Sequence, residues 1–215
     1  MTKCYPVALK LSGKLCVIVG GGKVAERKVQ SLLECDAQVR VISPELTSRL
    51  WELANNGNIQ YKPDKYEPAD LYGAFLVISA TDREDVNEAI SAECRRRNIL
   101  VNVVDAPAKA NFFVPSTIRR GPLSISVSTN GKSPLMARLL RKDLEALYGP
   151  DFGDFLEFIG TIREQIIKNV KNLQRRHEIL SALADQETIR LLREGYLEQA
   201  KERVNNVYCS CGHQS

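Results

Sequence analysis

Long apolar runs are missing from this 215-residue chain. None reaches the ~18 residues that a membrane-spanning helix needs, and the N-terminus has no apolar signal-peptide core. A cytoplasmic location is therefore the default expectation. Histidine is scarce: His177 and His213 are the two in the chain. An excess of one charge is lacking too. Thirty basic residues are interspersed with 26 acidic ones for a net charge of +4. With no recognised motif and no strong basic patch, a nucleic-acid partner is not expected. A mild positive balance does fit an anionic small ligand where the basic residues cluster. Repeats and low-complexity tracts are absent.

Six cysteines are present, but Cys4, Cys16, Cys35 and Cys94 lie far apart, and Cys209 and Cys211 are the one close pair. They read as reduced and mostly structural. Cys209-Ser210-Cys211-Gly212-His213 is too cramped for an ordinary mononuclear zinc site and lacks a fourth ligand, so a frayed terminus with no metal is expected.

What is present begins with alternation. Leu15–Val19, Val39–Ile42, Ile59–Lys62, Ala74–Ala80 and Leu100–Val104 are short apolar, β-branched runs. Between them Val24–Leu33, Leu46–Ala54 and Arg83–Arg97 carry helical spacing. Strands alternating with helices predict right-handed βαβ units and a parallel sheet, an α/β fold. The pattern then changes. Phe112–Pro115 and the alternating Leu123–Thr129 flank a turn at Arg119–Pro122, and Ser133-Pro134 opens a helix that runs to about Tyr148. From Asp151 the apolar spacing is helical, so a bundle is expected over 151–207.

The sharpest local feature is Gly20-Gly21-Gly22-Lys23-Val24-Ala25, between the first strand and the first helix. Gly20, Gly22 and Ala25 match G-x-G-x-x-G/A. The first glycine allows a tight turn, the second lets a pyrophosphate approach the backbone, and the small third residue lets helix and strand pack closely. The helix N-terminus then offers N–H groups and positive potential to phosphates. The alternative is a plain tight turn. At the end of the second strand, where NAD binders usually place an acid, stand Ser43-Pro44-Glu45. No cation occupies 42–46, although Arg49 lies within a turn, so a 2′-phosphate is not favoured.

Three further clusters follow strand ends, where open α/β sheets bind ligands: Ser79–Asp82, Val101–Pro107 and Ser128–Pro134. Asp82 is equally readable as a helix N-cap, and Asp105-Ala106-Pro107 as an ordinary turn.

The motifs "VGGGKVAERKV", "FLVISATD", "VNVVDAPAKANFFVPS" and "GPLSISVSTNGKSPLMARLLRKDLE" together resemble the precorrin-2 dehydrogenase/sirohydrochlorin ferrochelatase family, the dehydrogenase module of siroheme synthases. The resemblance covers residues 1–148. It implies NAD-dependent oxidation of precorrin-2 to sirohydrochlorin by a homodimer. It also implies a Rossmann-like NAD-binding domain over 1–111 and a dimerisation and substrate segment over 112–148, while the helical spacing that follows predicts a helical domain over 149–215. The family's key aspartate falls on Asp105, and its nucleotide-binding positions on Gly20, Gly21, Gly22, Lys23, Val24, Ser43, Pro44, Glu45 and Thr81. Family members often carry a cysteine where this chain has Ala110, which removes any thiol role there.

The chemistry needs a group to accept or relay a proton, and Asp105 is the candidate. A polycarboxylate macrocycle needs cations and hydrogen-bond donors. Asn102, Arg119, Arg120, Ser128, Thr129, Lys132 and Ser133 are the expected substrate contacts. Arg138, Arg141 and Lys142 are either further contacts or a solvated helix face. With histidine so scarce, and His177 expected at the surface, dehydrogenation is expected as the main activity and iron insertion as weak or absent. The competing readings are a NAD-sensing module without catalysis and a NADP-dependent reductase. The latter usually needs a nucleophilic cysteine or a His or Tyr acid, and neither Cys16 nor Cys35 is placed for it.

Overall fold

The computed structural model describes residues 4–212, with side chains through Ser210. The chain divides into two compact units, with the boundary between Val114 and Pro115.

The first unit is built as β1 (Leu15–Val19), α1 (Lys23–Leu33), β2 (Gln38–Ile42), α2 (Ser48–Asn55), β3 (Gln60–Lys62), β4 (Leu76–Ser79), α3 (Glu84–Arg97) and β5 (Leu100–Val103). The five strands form one parallel sheet in the order β3-β2-β1-β4-β5. That order reverses direction at β1 and β4, as in the Rossmann fold. Strand side chains alternate between faces. Cys16 and Ile18 therefore join one layer with Ala25, Val29 and Leu32 of α1, while Val17 and Val19 join the opposite layer with Ile90 and Cys94 of α3. Such two-sided burial explains why the strands read as continuous apolar runs. Ile18, Val29, Val77 and Ile90 have 2% or less of their surface exposed, and each contributes about 1.5–3 kcal/mol through burial.

The helix starts differ from their expected positions in three places, α1 beginning one residue early at Lys23. α2 begins at Ser48, because the Thr47 hydroxyl accepts the Leu50 N–H (3.3 Å) and sets the cap there. α3 begins at Glu84 with Arg83 at its N-cap, so Asp82 is not the cap. No side chain caps α3, and the Thr81 hydroxyl accepts the Arg83 N–H (3.1 Å) in the turn ahead of it.

The second unit opens with an antiparallel hairpin of β6 (Ser116–Arg120) and β7 (Leu123–Val127). β6 lies after the expected Phe112–Pro115 run, none of which is strand, and reaches into the expected turn. Arg119 and Arg120 lie in the ladder opposite Ser124 and Leu123, which leaves Gly121-Pro122 as the loop. α4 (Pro134–Leu147) follows, with the Ser133 hydroxyl accepting the Met136 N–H (3.2 Å) as its cap. α5 (Asp151–Asn169), α6 (Leu173–Ala182), α7 (Gln186–Arg193) and α8 (Leu197–Gly212) complete the unit. Their core holds Phe152, Phe155, Ile166, Ile179, Leu192 and Val204. α8 carries Cys209, but the side chain of Cys211 and all of His213 lie outside the described residues. No helix among the described residues is long and apolar enough to cross a membrane.

Candidate functional site

The glycine turn leaves β1 at the sheet's reversal point. Gly20 has φ +119°, and a Cβ there would lie 2.3 Å from the Ala80 carbonyl oxygen, after β4. A Cβ on Gly21 would lie 1.8 Å from the Glu45 carbonyl oxygen and 2.8 Å from the Ser43 Oγ, after β2. These two glycines therefore let three strand ends converge. Gly22 is different. It is exposed, it is the N-cap of α1 with φ −84°, and a Cβ on it meets nothing within 4 Å. No side chain caps α1. Its first-turn N–H groups and the positive end of its dipole thus face open space at Gly22, an arrangement suited to phosphate.

Lys23 and Val24 open that helix. The Lys23 ammonium lies 3.2 Å from Glu26. Glu26 also accepts the Thr47 hydroxyl at 2.6 Å. That hydroxyl, followed by Lys23, draws the Glu26 carboxyl below its ordinary range. The Gly21 carbonyl accepts the Thr47 N–H (3.0 Å), which pins the glycine turn to the loop of Ser43, Pro44 and Glu45.

Beside this turn lies a cavity of about 410 Å³. Gly20, Ser43, Pro44 and Thr81 line it together, although they come from three separate strand ends. Asp64, Lys65 and Tyr66, after β3, line it as well, as do Arg83, Asp85 and Val86 at the start of α3. Sequence reasoning missed these six because no motif marks them. The adjacency of β3 to β2 was the available signal, since it brings the loop after β3 to the same sheet edge. Arg83 is held by Asp85 through two hydrogen bonds of 3.2 and 2.5 Å, and Lys65 has Asp64 as its neighbour. The cavity's two cations are thus matched by two carboxylates. Arg49 points elsewhere and pairs with Glu52 at 2.9 Å.

A buried network holds Thr81. The Ser79 hydroxyl donates to Asn87 Oδ1 (2.7 Å), and Asn87 Nδ2 donates to the Thr81 carbonyl (3.1 Å). Ser79 and Asn87 are 1% and 6% exposed, so each polar atom in this pair depends on the other for a partner.

Asp105 stands beyond the C-terminal end of β5, exposed, with φ +58°. A non-glycine residue in left-handed backbone is held by its surroundings, and such strain concentrates at functional sites. Asn102 is half-buried, and its amide donates to the Phe112 carbonyl (3.1 Å). Asn111 lies along the open edge of β5. It accepts the Val101 N–H on Oδ1 (2.7 Å), donates from Nδ2 to Ile99 (3.0 Å), and donates its backbone N–H to Val101 (2.9 Å). One asparagine thereby stands in for a further strand.

In the second unit, Ser128 accepts the Asn130 N–H (3.2 Å) and Thr129 accepts the Ser133 N–H (3.1 Å). Arg120 donates to the Tyr148 carbonyl (3.2 Å), and Arg141 pairs with Glu145 (2.6 Å). Arg119, Lys132, Arg138 and Lys142 are exposed, as is His177 on α6. Among the described residues, no group of three or more His, Cys, Asp or Glu side chains could hold a metal ion. Burial pushes the Cys16 thiol up to about 11 and the Cys94 thiol up to about 12, so neither is a nucleophile near neutral pH.

A family model described as NAD(P)-binding matches residues 7–116, just over half of the chain. The chain belongs to this NAD(P)-binding family. A second model, described as the central part of sirohaem biosynthesis proteins, matches residues 120–147 of this family member. Siroheme synthase 3 of Aeromonas hydrophila is 43% identical over 161 residues, which are 75% of this chain and 34% of that protein. The siroheme synthase of Photobacterium profundum is 35% identical over 209 residues, 97% of this chain and 45% of that protein. The chain thus spans between a third and a half of these curated relatives. Among solved structures, SirC, a precorrin-2 dehydrogenase, matches with a TM-score of 0.76 at 27% identity, over 93% of this chain and 100% of that one. The resemblance carried by the four sequence motifs is borne out by these relatives.

Proposed function

We propose that this chain oxidises precorrin-2 to sirohydrochlorin with NAD+ as hydride acceptor. The observation that carries this reading is the uncapped, open N-terminus of α1 beside the cavity at the sheet's reversal point. The match of both units to a precorrin-2 dehydrogenase supports it.

In this reading the N–H groups at Gly22, Lys23 and Val24 hold the pyrophosphate, with Gly20 and Gly21 shaping the turn. Ser43, Pro44 and Glu45 flank the adenosine ribose, and Thr81 closes the cavity from β4. Bound NAD+ supplies a nicotinamide ring that accepts a hydride. Oxidation of the macrocycle releases a hydride and a proton, and Asp105 takes or relays the proton. Asn102, Arg119, Arg120, Lys132 and the hydroxyls of Ser128, Thr129 and Ser133 receive the substrate carboxylates. A hydroxyl that accepts a backbone N–H has its own O–H to donate. Residues 112–148 act as the dimerisation and substrate segment between the nucleotide-binding part and the helical part. Its α4 leaves Leu135, Met136, Leu139, Leu140 and Leu147 between 43% and 65% exposed, and a second copy of the chain is the partner we assign to this apolar face. The location we assign is cytoplasmic.

The test is anaerobic turnover of precorrin-2 with NAD+, following NADH absorbance and the sirohydrochlorin spectrum. Equal yields of both products, lost in Asp105→Ala, are expected. Tight NAD+ binding without turnover would leave the NAD-sensing module as the better reading. Robust Fe2+ or Co2+ insertion that is lost in Asp105→Ala would overturn dehydrogenation as the main activity.

A further inference from the structure

Residues 105–110 leave the parallel sheet, yet they are fastened to one helix. The Ser91 hydroxyl, on a residue with no exposed surface, donates to the Lys109 carbonyl at 2.7 Å. Arg95 Nη2 donates to the Ala108 carbonyl at 2.8 Å. The Lys109 ammonium pairs with Glu84 and, at 2.9 Å, with Glu88. These pairings hold the Lys109 ammonium above its ordinary range and the Glu88 carboxyl below its own. All four partners lie on α3. Their positions, 84, 88, 91 and 95, follow the helical repeat and form one stripe.

The same helix carries Asp85, Val86 and Ala89, which line the nucleotide cavity. One helix therefore holds a wall of the cavity and the loop that carries Asp105. Beyond the loop, Asn111 fixes the chain to the edge of β5. With both flanks fixed, the left-handed Asp105 turn has little freedom to relax.

We infer that Ser91, Arg95 and Lys109 are positioning residues that fix Asp105 beyond the end of β5 by holding its loop on α3. The inference rests on Asp105 being the proton-handling group. Geometry is the lever: a misplacement of about 1 Å at a reacting group can cost on the order of 100-fold in rate. Loosening the loop without removing the carboxylate costs less, on the order of 10-fold.

The experiment uses the full chain with Ser91→Ala, Lys109→Gln, Lys109→Arg and Asp105→Ala. Ser91→Ala and Lys109→Gln should lower kcat about 10-fold. NAD+ affinity and the KM for precorrin-2 should stay near wild type, and the thermal midpoint should fall by only the few degrees that one lost hydrogen bond costs. The pH profile of kcat should move, and Lys109→Arg should restore most of the rate. Amide hydrogen exchange should quicken over residues 104–110 and nowhere else. Wild-type kcat and pH profile in both loop variants, with Asp105→Ala inactive, would overturn the inference and leave the catalytic reading standing. An active Asp105→Ala would sink the catalytic reading instead. Exchange then decides the brace alone: faster exchange over 104–110 keeps it, and unchanged exchange removes it.

Discussion

Two adjacent glycines should fail in opposite ways when given a methyl group. At Gly21 the added Cβ would lie 1.8 Å from the Glu45 carbonyl oxygen, where ordinary contact begins at 3.4 Å. The obstacle is backbone, so no rotamer change relieves it, and one segment has to yield by about 1.6 Å. Overpacking of this kind costs about 1–3 kcal/mol. At roughly 2–4 °C per kcal/mol for a chain of this length, the melting temperature should fall by about 2–12 °C. At Gly22 the methyl has no protein neighbour within 4 Å, and φ of −84° suits any residue. Exchanging one uncapped N-cap for another costs at most about 1 kcal/mol, and the stiffer unfolded chain offsets about 0.4–1 kcal/mol of that. Gly22→Ala should therefore melt within a few degrees of wild type. Its methyl would nonetheless stand where phosphate approaches the α1 N–H groups, so NAD+ affinity should drop tenfold or more, about 1.4 kcal/mol. Differential scanning calorimetry and calorimetric NAD+ titration read the two effects separately. Wild-type NAD+ affinity in Gly22→Ala would falsify the placement of the pyrophosphate at this turn.

Other perturbations follow from the same geometry. Asn87→Ala strands the buried Ser79 hydroxyl and the Thr81 carbonyl. It should cost about 1–3 kcal/mol and weaken NAD+ binding, while equal stability in a urea melt would contradict the network's role. In the helical unit, hydrogen bonds from Thr188 and then the Arg203 pair pull the Asp185 carboxyl down to about 2. A carboxyl depressed in the fold adds stability above its unfolded value, and that stability is lost as pH falls through the folded one. Melting of this unit should thus weaken from about pH 4 down to pH 2, less steeply in Asp185→Asn. An identical slope in the variant would refute the assignment. At pH 8, iodoacetamide should label exposed Cys4 and Cys209 well before Cys16 and Cys94, which burial keeps as neutral thiols. Mass spectrometry showing early Cys94 labelling would contradict its burial.

Much of the first unit was legible because both faces of its sheet are covered. Leu15–Val19 reads as one apolar run and is β1 with those bounds, since neither face of that strand meets water. Gly20–Ala25 was legible for a related reason: the turn's steric needs fall on consecutive residues. The α4 start was equally local, because a Ser-Pro pair supplies both the cap and the fixed first φ. β6 was harder to read, because its five residues, STIRR, bury only Ile118. Asp82 was open to misreading as a cap because Asp suits one; the helix starts two residues later, with Arg83 at its N-cap and no side chain capping it.

The sequence by itself determined the alternating α/β order and the glycine turn, since each is written in neighbouring residues, whereas Asp105 stood out only through the resemblance carried by the longer motifs. Only the tertiary structure decided that Asp64, Lys65 and Tyr66 share a cavity with Ser43 and Thr81. That depends on strand order, and order is set by which apolar faces pack together. The fold alone also brought Ser91, Arg95 and Lys109 to one junction of helix and loop. Their contacts join a helix stripe to a loop more than ten residues away, and such closures are invisible to local patterning because only the packed core brings those segments within hydrogen-bonding distance.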